Sequence, residues 1–105
     1  LNAHGTLHGG ELLKWIDEDA GTHAHLLNGG VNATRIINTI SFDATGRLGD
    51  VVQIDTEFVK SGRTSLTLKA IATHAVTRHK IAETSEMVFV HIDKNHVPSE
   101  FKLKE

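Results

Sequence analysis

A pair of glycines followed by an aspartate is the part of the sequence with the clearest chemical potential. Gly9 and Gly10 begin a segment with helical periodicity, and Asp17 follows about two turns later. A helix N-terminus presents N–H groups with partial positive charge, and glycines leave them open to a ligand. A carboxylate that activates a nucleophile, beside N–H groups that stabilise an oxyanion, is the minimum set for acyl transfer. Considered alone, an aspartate at such a position is more often a solvated or ion-paired residue.

The element that must carry these residues is a helix of about five turns. From residue 11 to about residue 27, apolar residues recur at the i, i+3, i+4 and i+7 spacing of one helical face. They are Leu12, Leu13, Ile16, Ala20, Ala24 and Leu27. Asp17 falls on the flank of this stripe, at the boundary of the buried face. Asn28-Gly29-Gly30 should end the helix, because glycine tolerates the left-handed backbone of a C-terminal cap.

Four strands should follow the helix, in an α+β arrangement with the helix packed on an antiparallel sheet. Alternating and β-branched residues predict them over residues 31–42, 51–60, 65–78 and 81–93. In the first strand, strict alternation places on one face Thr34, Ile36, Asn38, Ile40 and Phe42. Residues 43–50 should form a loop, and the tail at residues 101–105 should fray.

Length, charge and cysteine content exclude several classes of protein. The 105 residues are expected to form one domain, and the net charge of −2 gives no reason to expect binding to nucleic acid or to an anionic membrane. No window approaches the roughly 18 apolar residues of a membrane span, and the first residues resemble neither a signal peptide nor a transit peptide. The absence of cysteine removes disulfides and thiolate nucleophiles. It is compatible with the cytoplasmic location that we expect.

The eight histidines raise the question of a metal site. His23 and His25 are the nearest pair, but positions i and i+2 of a helix point in different directions, whereas helical ligands would be expected at i and i+4. His74 falls on the inward face of a strand, where a hydrogen-bonded core histidine is the simpler interpretation. We therefore expect no metal site.

The segment from residue 60 to residue 65 combines two cations, a glycine and three hydroxyl groups, which could hold a phosphate. A hairpin turn with solvated ends explains the same residues equally well. The spacing is not that of a phosphate-binding P-loop, so ATP chemistry is not supported.

Taken together, these motifs resemble the hotdog-fold acyl-CoA thioesterases, in the branch of the cytosolic long-chain acyl-CoA hydrolases and their small bacterial relatives. The resemblance extends over essentially the whole chain. Its most specific part is Asn2-x-x-Gly5-Thr6-x-His8-Gly9-Gly10-x-x-x-x-x-x-Asp17-Glu18-x-Ala20-Gly21. Weaker parts follow in the family's order: Gly49-Asp50 before a strand, then Lys60-x-Gly62-Arg63-Thr64-Ser65, then Phe89-Val90 in the closing strand.

This resemblance implies a fold, an activity and a set of roles. The expected fold is a hotdog, with one long helix wrapped by a curved antiparallel sheet, and subunits pair so that active sites lie at the interface of a dimer that can assemble into a tetramer or hexamer. Asp17 resembles the catalytic carboxylate, as general base or nucleophile, and the Gly9 N–H would polarise the thioester carbonyl. Asn2 would reach the facing subunit's carboxylate, with His8 in support. The residues implied near the CoA moiety of the substrate are Lys60, Gly62, Arg63, Thr64 and Ser65.

Two alternatives stay open at the level of sequence. A hotdog dehydratase or hydratase would act on the same acyl thioesters, and its site would pair a histidine with a carboxylate. A non-catalytic acyl-CoA-binding module would use the same fold for regulation. The chain also departs from many relatives in lacking a proline in the loop that begins at Asp43, which affects the expected loop shape and acyl selectivity. The length and branching of the acyl group are not specified by the sequence.

Overall fold

The computed structural model describes residues 9–43 and 50–104. One helix is followed by four strands: α1 (Gly9–Asn28), β1 (Val31–Phe42), β2 (Val52–Ser61), β3 (Ser65–His74) and β4 (Lys80–Ile92). The helix begins two residues earlier than the apolar periodicity predicts, because the glycine pair is itself helical. None of the helices in the described part of the chain is long and apolar enough to cross a membrane.

The strands form one antiparallel sheet in the order β1-β4-β3-β2. The predicted arrangement of one helix and a four-stranded antiparallel sheet is therefore confirmed. The strand β1, which follows the helix, pairs with the last strand, β4. After β1 the chain therefore crosses to the opposite edge of the sheet, where β2 forms and pairs with β3. Among the described residues, β1 and β2 are thus the two edges of the sheet.

The helix packs its apolar stripe on one face of the sheet. Ile16, Ala20 and Ala24 are completely buried. The two alanines lie one turn apart on the same helical face, and their small side chains let the backbone of the helix approach the sheet closely. The central strands supply the other half of the core. Its largest buried side chains from β3 and β4 are Leu66, Leu68, Ile81, Met87 and Phe89.

Strict alternation along β1 is wrong, because the strand contains a bulge between Thr34 and Ile36. A bulge adds one residue to one strand and so exchanges the two faces beyond it. Ile37, rather than Ile36, packs on the core, and Ile36 stays 46% exposed. Asn38 is also exposed rather than on the helix-facing side. The alternation is interrupted again at Thr39, which has a φ of 57°, and Ile40 packs on the core as predicted.

The third strand ends four residues earlier than predicted, because the chain turns after His74. The amide of His74 donates to the carbonyl of His79 at 2.9 Å, and the amide of Arg78 donates to the carbonyl of His74 at 2.8 Å. Arg78 has a φ of 70°, and Val76, expected to face inward, is 78% exposed. The inward pattern of β3 therefore stops at His74.

The C-terminal tail is held against the body of the protein, and the prediction that it frays is wrong for residues 101–104. The amide of Lys104 donates to the carbonyl of Leu27 at 2.7 Å, which satisfies one of the free carbonyls of the last helical turn. Phe101 packs partly buried against the core and beside the ring of His91. The tail therefore closes the C-terminal end of α1.

Candidate active site

A carboxylate and a hydroxyl group meet at the edge of the helix-facing side of the sheet. The hydroxyl Oγ1 of Thr34 donates a hydrogen bond of 2.7 Å to Oδ1 of Asp17. Asp17 is half-buried on the flank of α1 that faces β1, as its position beside the apolar stripe predicts. The hydrogen bond fixes the orientation of the carboxylate, while no other hydrogen bond to it is made by the described residues.

Thr34 was not identified as a site residue from the sequence, and local packing explains its position. Thr34 lies opposite Phe89 in the β1–β4 ladder, and the ring of Phe89 is buried beneath Gly21 of the helix. A methyl group at Gly21 would lie 3.8 Å from that ring, so the helix and strand are in close contact here. The available signal was the hydroxyl group on the helix-facing side of β1, but a threonine in a strand is too common to stand out.

Gly9 is the first residue of α1 and lies next to the aromatic ring of Phe42 at the end of β1. A methyl group at Gly9 would lie 3.5 Å from that ring, which is an ordinary van der Waals distance. Among the described residues, packing therefore does not demand a glycine here.

Gly9 and Asp17 of the same chain are too far apart to act on one carbonyl group. Eight residues separate them in a continuous helix, which corresponds to roughly 12 Å along the helix axis. Reacting groups must lie about 3 Å from the atom that they act on. One copy of the chain therefore carries both predicted elements but does not bring them together. Asn2 and His8 lie outside the described residues, so their predicted roles stay predictions.

The turn between β2 and β3, together with the adjoining strand ends, contains the five residues expected near CoA. Lys60, Gly62 and Arg63 are exposed, whereas Thr64 and Ser65 are half-buried. The amide of Gly62 donates to the carbonyl of Ser65 at 2.9 Å. A methyl group at Gly62 would lie only 2.8 Å from the hydroxyl oxygen of Ser65, so a larger residue would require that hydroxyl group to rotate away.

This turn lies at the opposite edge of the sheet from β1, the strand that contacts Asp17. Thr34 is opposite Phe89, Phe89 is opposite Leu66, and Leu66 is opposite Ser61. Three strand spacings correspond to roughly 14 Å. The structure therefore does not bring the turn into contact with the carboxylate of the same chain, and its role in binding CoA stays a prediction.

Asp43 and Asp50, at the two ends of the segment 43–50, contact side chains at the two ends of the β3–β4 turn. Lys80 forms ion pairs with Asp43 at 3.3 Å and with Glu83 at 2.8 Å. The pKa of Lys80 is raised above its usual value, first because Glu83 accepts a hydrogen bond from the ammonium group and then because Asp43 lies beside it. At the other end, His74 contacts the carboxylate of Asp50 at 3.3 Å. Residues 44–49 lie outside the described residues.

The two helical histidines, His23 and His25, have separate partners. Nδ1 of His23 is 2.8 Å from the hydroxyl of Thr56, whereas Nδ1 of His25 is 2.8 Å from the carbonyl of Gly30. Within residues 9–43 and 50–104, no cluster of three or more histidine, aspartate or glutamate side chains could hold a metal ion.

His74 is a hydrogen-bonded core histidine, as predicted, with a side chain only 14% exposed. Its Nδ1 accepts hydrogen bonds of 3.2 Å from the amides of Val76 and Thr77. This assigns the ring proton of the neutral imidazole to Nε2, which lies 3.3 Å from Oδ1 of Asp50.

Comparison with known families identifies the class of protein. The family model of the thioesterase superfamily matches residues 4–78. The chain belongs to the thioesterase superfamily. A comparison with curated protein sequences found no significant match.

Solved structures share the fold of this chain. The hexameric thioesterase of Yersinia pestis has a TM-score of 0.89 and 23% identity, over 95% of this chain and 84% of its own. An acyl-CoA hydrolase of Staphylococcus aureus, solved with butyryl-CoA and CoA, has a TM-score of 0.85 and 24% identity, over 97% of this chain and 62% of its own. A hexameric hotdog-fold thioesterase of Campylobacter jejuni has a TM-score of 0.83 and 18% identity, over 96% of this chain and 80% of its own. The hotdog fold expected from the sequence is confirmed.

Proposed function

We propose that the protein hydrolyses acyl-CoA thioesters to a free fatty acid and CoA. The observation that carries this proposal is the half-buried carboxylate of Asp17, oriented by Thr34 at 2.7 Å on the central helix of a thioesterase-superfamily fold. A carboxylate oriented by a hydrogen bond is suited to direct an attack on a nearby carbonyl carbon.

In the proposed reaction, Asp17 either takes a proton from an attacking water molecule or attacks the thioester carbonyl itself. The carbonyl oxygen gains negative charge as the new C–O bond forms. This charge is stabilised by N–H groups at a helix N-terminus, for which we propose the amide of Gly9. Collapse of the intermediate breaks the C–S bond, and the CoA thiolate leaves and takes up a proton. If Asp17 is the nucleophile, water then hydrolyses the acyl-enzyme anhydride.

Two subunits are needed for this reaction, because Asp17 and Gly9 of one chain are roughly 12 Å apart along the helix. The edge strand β1 exposes three large apolar side chains, which are Val31, Ile36 and Phe42. Two-fold pairing of this edge with its copy would extend the sheet and set the two helices antiparallel. The N-terminus of one helix would then approach the middle of the other. We propose a dimer with two such interfacial sites, which can assemble further into a tetramer or hexamer.

The remaining roles follow the same scheme. Asn2 of one subunit would position water or substrate at the carboxylate of the other, with His8 supporting the loop before the helix. The turn with Lys60, Arg63 and Ser65 would hold the CoA moiety. The reaction needs neither a metal nor an organic cofactor, and we propose that it takes place in the cytoplasm, where a chain without cysteine loses nothing to reduction.

Relatives support the choice of Asp17 and Thr34. The Staphylococcus aureus hydrolase was also solved with one aspartate replaced by alanine, and separately with one threonine replaced by alanine. Those two positions are seventeen residues apart, which is also the spacing of Asp17 and Thr34.

The test is release of the CoA thiol from acyl-CoAs of increasing chain length, followed with a thiol reagent. The wild type should release CoA, and Asp17→Ala should not. Asp19→Asn is the matched control, because it removes an exposed negative charge from the same helix and should retain activity. Saturable acyl-CoA binding without thiol release would instead favour the binding module, and interconversion of enoyl-CoA and hydroxyacyl-CoA would favour the hydratase.

A further inference from the structure

The last residues of the chain form a strap, residues 98–104, which holds one glutamate in a defined place. Pro98 forms an isolated bridge with Ile92, and the amide of Ser99 donates to the carbonyl of His91 at 2.8 Å. Nδ1 of His91 in turn donates to the carbonyl of Ser99 at 2.9 Å. On the other side, the ring of Phe101 packs beside that of His91, with centroids 5.5 Å apart. Glu100 is thus flanked by two anchored residues.

The carboxylate of Glu100 contacts an exposed cation of the β2–β3 turn. Its Oε1 lies 3.1 Å from Nη1 of Arg63, and the two side chains are 64% and 80% exposed. No second ion pair of Arg63 is formed with any residue in the described ranges. The strap therefore brings a negative charge to a guanidinium group that would otherwise be free for an anionic ligand.

We infer that Glu100 competes with the phosphate groups of CoA for Arg63, so that the strap lowers the affinity of the protein for CoA. This inference rests on the part of the proposed function that assigns CoA to the β2–β3 turn. Glu100 does not touch the reacting atoms, and it acts only through Arg63.

The balance of charges favours an ion pair that the ligand can displace. A guanidinium group can bind a phosphate through two parallel hydrogen bonds, and a phosphate carries more negative charge than a carboxylate. An ion pair as exposed as that of Arg63 and Glu100 is weak, so removing its carboxylate should change an affinity by only about two- to fivefold. The strap would thus weaken CoA binding without preventing it, which favours release of the product.

The experiment is calorimetric titration of CoA into the wild type and into Glu100→Gln, which keeps the size of the side chain and removes its charge. Glu100→Gln should lower the Kd for CoA by about two- to fivefold. Glu57→Gln is the matched control, because Glu57 forms a similarly exposed ion pair with Lys69 at 3.3 Å, and its Kd should equal that of the wild type. Pantetheine, which lacks phosphate groups, should bind both variants and the wild type equally.

Arg63→Gln provides the second half of the test. In this background CoA should bind more weakly, and adding Glu100→Gln should produce no further change. An unchanged or raised Kd for Glu100→Gln alone would overturn the inference, since the carboxylate would then be neutral or would orient Arg63 for the ligand. An equal decrease in the Kd for CoA when Glu100→Gln is added to Arg63→Gln would overturn it too.

These outcomes separate the inference from the proposed reaction. Tighter CoA binding by Glu100→Gln without any thiol release by the wild type would support the inference and contradict hydrolysis. Thiol release with no effect of Glu100→Gln on the Kd would do the reverse. No binding of CoA to the wild type would overturn the inference together with the assignment of the turn to CoA.

Discussion

The two ends of α1 each carry a Gly-Gly pair, and the pairs serve different purposes. At Gly9 an added methyl group would meet the ring of Phe42 at an ordinary 3.5 Å, whereas at Gly30 it would lie 2.2 Å from Nε2 of His91. Gly29 has a φ of 71°, as a C-terminal cap requires. The second pair is thus demanded by backbone conformation and packing, whereas the described residues place no such demand on Gly9.

The C-terminal end of the helix is also closed by polar contacts. The side-chain oxygen of Asn28, which is buried, accepts hydrogen bonds of 3.1 Å from the amide of Gly30 and from the side chain of Asn32. His25 contacts the carbonyl of Gly30, and the strap supplies the amide of Lys104 to Leu27. Polar groups at this end are paired within the chain, so it can contribute stability but offers little to a ligand.

The comparison predicts that the same dipeptide serves the stability of the fold at one end of the helix and activity at the other. Where the surrounding structure explains the glycine, as at Gly30, substitution should lower stability. Where it does not, as at Gly9, substitution should lower activity. Four predictions test which residues serve activity and which serve stability, and the largest expected effect comes first.

Asp17→Asn should reduce turnover by about a thousandfold while leaving folding nearly intact. An asparagine oxygen can still accept the hydrogen bond from Thr34, but the amide cannot act as a base or a nucleophile. Steady-state thiol release and thermal unfolding of the same preparation measure the two effects. Near-normal turnover would show that Asp17 is a surface residue with a structural hydrogen bond.

Gly30→Ala should lower the free energy of unfolding by about 1–3 kcal/mol, because the ring of His91 cannot move away without losing its hydrogen bond to Ser99. Urea denaturation measures the change. In the His91→Ala background, which lacks the imidazole ring, Gly30→Ala should lower the free energy of unfolding by less than it does in the wild type. Equal losses in both backgrounds would mean that the clash is not the cause.

Thr34→Val should reduce kcat by about ten- to a hundredfold and change stability by less than about 1 kcal/mol. The valine keeps the shape of the strand but cannot hold the carboxylate of Asp17. The loss should be smaller than for Asp17→Asn because the carboxylate itself remains. Thr34→Ser keeps the hydroxyl group and should therefore retain most of the activity. Thr39→Val is the matched control, since Thr39 lies on the same strand and contacts Asn38 rather than Asp17. A comparable loss in Thr39→Val would point to general damage to β1.

Gly9→Ala should change the free energy of unfolding by no more than about 0.5 kcal/mol, since the methyl group has room beside Phe42. Turnover should nevertheless fall several-fold, because the methyl group narrows the approach to the helix N-terminus. Parallel measurement of kcat/KM and of urea unfolding separates the two quantities. A loss of stability as large as that of Gly30→Ala would erase the difference between the two ends of the helix.

Much of this architecture can be read from local patterns in the sequence. The spacing of Leu12, Ile16 and Ala20 determines a helix, and it places Asp17 on the flank of the buried face whatever the rest of the chain does. Alternation determines the strands to within a few residues at most ends, and glycine marks the end of the helix. The family motif adds the expected roles, which lie on residues that local patterns position well.

What the sequence leaves open depends on pairing between distant segments. The bulge in β1 exists because of its register with β4, and it decides that Ile37 rather than Ile36 enters the core. The pairing of Thr34 with Phe89 decides which hydroxyl meets Asp17, and the packing of Phe101 on His91 decides that the tail is ordered. Such contacts join residues that are far apart in the chain, so neither propensity nor periodicity contains them. For that physical reason the sequence by itself determined the helix and its carboxylate, whereas only the tertiary structure decided what the carboxylate touches.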